Sequence, residues 1–188
     1  TNEPRAESPL HRIGIRKASI HYHFPSKAAL GKAVVARYRA AMRSNAEMAA
    51  SLSPTAPARA LEQYLLPILA FGDLAEDTCL GAALGGEYLS LPPELQAEIA
   101  AFFADQQDWL SAHLSAGQDA GVYRFQGDAR QMARMILAAV EGAMLIKRTS
   151  GDTAYVNDMV EMARRLLGLA SAEAGRRHHS FPGFAPTR

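Results

Sequence analysis

The stretch Gly14-Ile15-Arg16-Lys17-Ala18-Ser19-Ile20-His21-Tyr22-His23-Phe24-Pro25-Ser26-Lys27 decides how the fold is read. Gly14 has no Cβ, so it suits a tight turn between two helices. The residues after it are helix-compatible until Pro25, whose ring disfavours helical geometry at Phe24. Ser26 then offers a side-chain oxygen to cap a new helix near Lys27. The expectation is a short helix bounded sharply at both ends. Ile20 and Phe24, four apart, share its apolar side. Arg16, Ser19 and His23, with Lys17 and His21, put donors and positive charge elsewhere, an arrangement suited to an anionic groove.

Charge along the chain points the same way. Between Ser8 and Ala46 there is no Asp or Glu, while Arg12, Arg16, Lys17, Lys27, Lys32, Arg37, Arg39 and Arg43 supply eight cations. From Glu47 onward, 17 acidic residues face 11 basic ones. A net charge of only +1 therefore hides a basic N-terminal segment on an acidic body, the footprint of a nucleic-acid-binding head.

The run G-I-R-K-A-S-I-H-Y-H-F-P-S-K resembles the recognition helix and following turn of the tetracycline-repressor (TetR) family of bacterial transcriptional regulators, close to G-V-S-x-x-S-[IL]-Y-x-H-F-x-[SN]-K. The resemblance covers fourteen of the 188 residues. His21 stands where the family usually has Tyr. The family also places about two helices before the recognition helix, and Thr1 to Ile13, with Pro4 and Pro9, cannot supply them. The expectation is that further residues precede Thr1.

The resemblance implies an all-α fold: a helix-turn-helix head over residues 1–27 (truncated), a connecting helix over 28–52, a ligand-binding and dimerisation domain over 53–170, and a tail over 171–188. Arg16, Lys17, Ala18 and Ser19 sit where side chains reach base edges. His21, Tyr22, His23 and Lys27 match phosphate-facing positions, which fix register rather than sequence. The alternative for these residues is a solvated basic helix end.

Composition sets the remaining bounds. The chain is 48% hydrophobic and 21% charged, ordinary for a globular protein. One cysteine, Cys79, allows no internal disulfide and fits a reducing cytoplasm. No apolar run approaches the roughly 18–20 residues that span a bilayer, so no membrane partner is expected. His21, His23, His178 and His179 lack the neighbours that complete a metal set. No phosphate loop or nucleophile–base set is legible, so neither a cofactor nor an enzyme is expected.

Downstream the pattern is helical throughout. Lys27 to Leu52 carries Leu30, Val34, Tyr38 and Met42 along one side. Further helices are expected over 58–75, where Pro67 removes a donor and kinks the run, over 79–91, where Gly81, Gly85 and Gly86 allow close approach, and over 94–118. The last two, 128–149 and 152–170, are strongly periodic and are joined by Gly151 as C-cap and Asp152 as N-cap.

The family resemblance implies that these last two helices pair with their copies in a homodimer, and that the body holds a pocket for an unknown small molecule. Candidate liners are Tyr64, Phe71, Cys79, Glu87, Tyr88, Phe102, Phe103, Trp109 and Met144, each with ordinary core packing as its alternative. Glu87 and Glu141 stand out, because a carboxylate within an apolar stripe is costly unless paired. Cys79 at a helix start is a candidate reactive thiol, opposed by Glu76 and Asp77 beside it. The functional expectation is a ligand-responsive repressor released from a palindromic double-stranded DNA operator. The alternatives are a helical small-molecule sensor that no longer binds DNA and a small all-α enzyme.

Overall fold

The computed structural model describes Ile20, residues 22–52, 56–72 and 78–169, with the side chains of 71 and 72 excepted. Arg16, Lys17, Ala18, Ser19, His21, the tail over 171–188 and the side chain of Phe71 lie outside the described residues. The described chain forms six α-helices and no strand: α1 (Lys27–Leu52), α2 (Pro57–Gly72), α3 (Leu80–Gly85), α4 (Pro93–Asp119), α5 (Ala129–Ser150) and α6 (Ala154–Leu166). A 3-10 turn, Tyr88–Ser90, lies between α3 and α4.

Local chemistry sets the boundaries. The Phe24 amide bonds the Ile20 carbonyl at 2.8 Å, closing a last helical turn before Pro25. The Ser26 hydroxyl then accepts from the Ala29 amide at 3.0 Å. Pro93 opens α4, where its missing N–H costs nothing. Asp128 caps α5 by accepting from the Arg130 amide at 2.8 Å. Gly151, at φ 74°, closes α5 in the left-handed conformation that glycine takes freely. Asp152 accepts from the Ala154 amide at 2.9 Å.

Three sequence expectations need correction. The helix over 79–91 ends at Gly85, and the chain resumes as a 3-10 turn. A Cβ on Gly81 would meet the Phe102 ring at 2.7 Å, whereas Gly85 and Gly86 have nothing within 4 Å. Only Gly81 of the three is a close-approach residue. On α1 the buried face is Val35, Tyr38, Met42, Asn45, Ala46 and Ala49, and Val34 is exposed.

The core lies where α1, α2, α4, α5 and α6 converge, around Leu61, Leu110, Leu114, Met144 and Val156. Fully burying one such aliphatic side chain stabilises the fold by about 1.5–3 kcal/mol. A second cluster, Val35, Leu95 and Ile99, joins α1 to α4 nearer the head. Beside it Arg39 grips Asp105 through Nε at 2.6 Å and Nη2 at 3.1 Å. Arg39 also reaches Glu98 at 3.4 Å, and Arg43 reaches Asp105 at 2.9 Å. The paired arginines hold the Asp105 carboxyl below its ordinary range.

Candidate functional site

At the N-terminal end, Tyr22 is 85% exposed, and His23 and Lys27 are exposed with it. The Tyr22 and His23 rings meet edge-on, 5.1 Å between centroids. Ile20 and Phe24 are half-buried, so the apolar side turns inward while these three polar groups stay in solvent. Lys32 and Arg37 extend the exposed cations along α1.

Further along α1 the helix enters the body and places Tyr38 and Met42 on a recess. Tyr64, Pro67 and Ile68 of α2, Cys79, Phe102 and Gln106 of α4, and Leu137, Val140, Glu141 and Met144 of α5 complete it. The free space is about 20 Å³, room for about one water molecule. Pro67 contributes to this wall from inside α2, where its missing N–H leaves a backbone carbonyl without its helical partner.

Most polar groups here are matched. Tyr64 Oη donates to Gln106 Oε1 at 2.5 Å, and Tyr38 Oη donates to Cys79 Sγ at 3.5 Å. Burial pushes both phenols above their ordinary range. The exception is Glu141, whose Oε2 is buried with no hydrogen-bond partner among the described residues. Burial raises its carboxyl to about 7, opposed by a hydrogen bond with Cys79.

Cys79 is 4% exposed. Burial first and the Glu141 carboxylate second push its thiol up to about 12, outweighing Tyr38 and the backbone amides of Ala82 and Gly81. Burial thus outweighs the tendency of a helix start to lower a thiol's pKa, and the group is a protonated thiol at neutral pH.

Of the liners expected from sequence, Tyr64, Cys79, Phe102 and Met144 come together here. Trp109 stands one ring behind, stacked on Tyr64 with centroids 4.2 Å apart, and Phe103 packs edge-on to Phe102 at 5.1 Å. Glu87 and Tyr88 do not join the recess: Glu87 is exposed, and Tyr88 packs on the Val35 cluster. Sequence reasoning missed Tyr38, Met42, Gln106 and Leu137 as liners. The signal that could have found Tyr38 was its phenol on the buried stripe of an otherwise cationic helix.

A third feature is an outward apolar face on the last two helices. Met135, Leu145 and Ile146 of α5 and Tyr155, Met162 and Leu166 of α6 are exposed. No helix among the described residues is long and apolar enough to cross a membrane.

These features define an all-α body entered by one long helix from an exposed cationic turn. A family model described as "Tetracyclin repressor-like, C-terminal domain" matches residues 59–163. A TetR-family transcriptional regulator from Agrobacterium tumefaciens is 33% identical, with 84% of each chain covered and a TM-score of 0.72. A TetR transcriptional regulator from Legionella pneumophila is 25% identical, covering 84% of this chain and 83% of that one, with a TM-score of 0.74. A regulatory protein TetR from Rhodobacter sphaeroides, 20% identical over 84% of each chain, shares the fold at a TM-score of 0.72. No curated protein matches the chain at a significant level. The chain belongs to the tetracycline repressor family of transcriptional regulators.

Proposed function

We propose that the protein is a repressor which binds a palindromic DNA operator as a homodimer and leaves it when a small molecule occupies the recess. The observation that carries this reading is the path of α1. Its 26 residues span about 39 Å at the helical rise. The helix begins at Lys27, just after Tyr22 and His23, while Tyr38 and Met42 further along form a wall of the recess. A rigid helix that touches both regions turns a small displacement at the recess into a larger one at the head.

Residues 1–27 serve as the DNA-binding region, 28–52 as the connection, and 53–170 as the effector and dimerisation domain. Arg16, Lys17, Ala18 and Ser19 read base edges, while His21, Tyr22, His23 and Lys27 hold the phosphate backbone. Paired copies of the outward apolar face on α5 and α6 form a four-helix interface that sets the distance between two heads. An effector that binds better to the arrangement with mis-spaced heads shifts the population away from DNA. The reading places the protein in the cytoplasm, with its operator.

The test uses the natural full-length protein and duplexes selected from a random pool. Palindromic sites should be enriched, with affinity falling steeply as salt rises. Arg16→Ala and Lys17→Ala should flatten base preference, whereas Lys27→Ala should weaken all duplexes alike and lower the salt slope. A protein that enriches no duplex while its body remains folded overturns the proposal.

A further inference from the structure

We infer that the recess takes a compact cation, the ammonium head of a small primary amine, seated against Glu141 Oε2. This rests on the reading of the recess as the effector site. Among the described residues its lining has one formal anion, Glu141, and no Lys, Arg or His. An anionic ligand would meet the Glu141 carboxylate with no described cation to offset it. A purely apolar ligand would offer nothing to Oε2, which has no hydrogen-bond partner among the described residues, and a buried carboxylate is costly unless matched.

An ammonium group supplies what is missing. It donates to Oε2, and the rings of Tyr38, Tyr64 and Phe102 line the same space, where an aromatic ring attracts a cation that reaches its face. The phenol protons are already committed to Cys79 and Gln106, and the weak Cys79 thiol donor bonds the Glu141 carboxyl, leaving Oε2 for the ammonium. Free space of about 20 Å³ fits the head alone. The carbon chain of the ligand needs local displacement of apolar side chains of the lining, among them Pro67, Ile68 and Leu137.

Ionisation adds a second signature. Glu141 titrates near 7, while the groups facing it from the other elements stay fixed between pH 6 and 8. Tyr38 on α1 and Tyr64 on α2 are raised further by burial. Cys79 before α3 is at about 12, and Gln106 on α4 carries no charge. A primary amine remains protonated across this window. Its affinity therefore rises with pH as the carboxylate forms, by about tenfold from pH 6 to pH 8 for a group titrating near 7.

The experiment titrates n-butylamine, n-butanol and butyrate into the full-length protein, following calorimetry and Trp109 fluorescence. Trp109 is the single tryptophan and stacks on the lining residue Tyr64. The amine should bind at least about tenfold more tightly than the alcohol, butyrate should not bind, and Glu141→Gln should erase both the preference and the pH slope. Equal affinity for amine and alcohol, an unchanged Glu141→Gln variant, or no amine binding overturns the inference. Duplex selection in parallel separates the two readings: amine binding without DNA binding upholds this site and removes the repressor.

Discussion

Two polar insertions in the helical core contrast sharply. Where α4 meets the start of α2, His113 Nε2 lies 2.7 Å from Tyr123 Oη, which donates to the Pro57 carbonyl at 2.8 Å. The His113 ring stacks on Trp109 with centroids 4.9 Å apart. Burial lowers the basicity of His113, so a neutral imidazole fills its place among matched partners. Glu141 sits in the same core with one oxygen unmatched. A closed polar network fixes one arrangement of helices. An open one costs stability until something completes it. The first behaves as scaffold, and the second is where the proposed ligand would bind.

The largest way to break this contrast is to remove the scaffold itself. Tyr123→Ala should lower stability by about 3–5 kcal/mol, the usual cost of deleting a buried aromatic ring, measured by urea denaturation. A loss below about 1 kcal/mol would show that the cluster does not hold α2 to α4.

Glu141→Gln should move in the opposite direction. A carboxyl raised from 4.5 to about 7 keeps its proton in the folded state after the unfolded chain has lost it. Stability therefore falls as pH climbs from about 4.5 to about 7 and levels off above. The variant should recover up to about 3 kcal/mol at pH 8 and nothing at pH 4. The quantity to measure is the difference between the two proteins, because His113 contributes the opposite slope. Its lowered basicity makes stability fall as pH drops below about 6.5.

Tyr123→Phe sharpens the comparison by deleting one hydroxyl and keeping the ring. The His113 nitrogen and the Pro57 carbonyl then lose a shared partner, at a cost of about 1–3 kcal/mol. Equal stability of wild type and variant in urea would mean that water replaces the hydroxyl.

The smallest effect is expected at the α1–α4 seam. Arg39→Ala should cost about 1 kcal/mol, since both partners remain about a quarter exposed. Thermal unfolding at low and high salt would show the penalty shrinking as ions screen the pair.

Much of the fold was legible because its signals are local. Pro25, Ser26, Asp128 and Gly151 set helix ends by backbone chemistry alone. The misplaced face of α1 shows what local pattern leaves out. Residues 30, 34, 38 and 42 follow a strict four-residue step, which winds around a straight helix. The buried face alternates steps of three and four through 35, 38, 42, 45 and 49. Asn45 and His113 escaped notice as core residues because polarity argues for exposure. Their partners, the Tyr64 and Pro57 carbonyls, lie 19 and 56 positions away. The recess was half legible for the same reason. Glu141 stands out within its own helix, but Tyr38, Gln106 and Leu137 converge on it only through tertiary packing.

Gly81 gives the recess an unusual neighbour. It lies outside the lining, yet a methyl group there would press on the Phe102 ring at 2.7 Å and on Phe103 at 3.0 Å. A chain with alanine or serine at this position would have to hold the Phe102 ring, part of the recess wall, in a different place. If the recess is the effector site as proposed, drift at one unremarkable position behind the wall would retune which molecules a lineage detects, with every contacting side chain left in place.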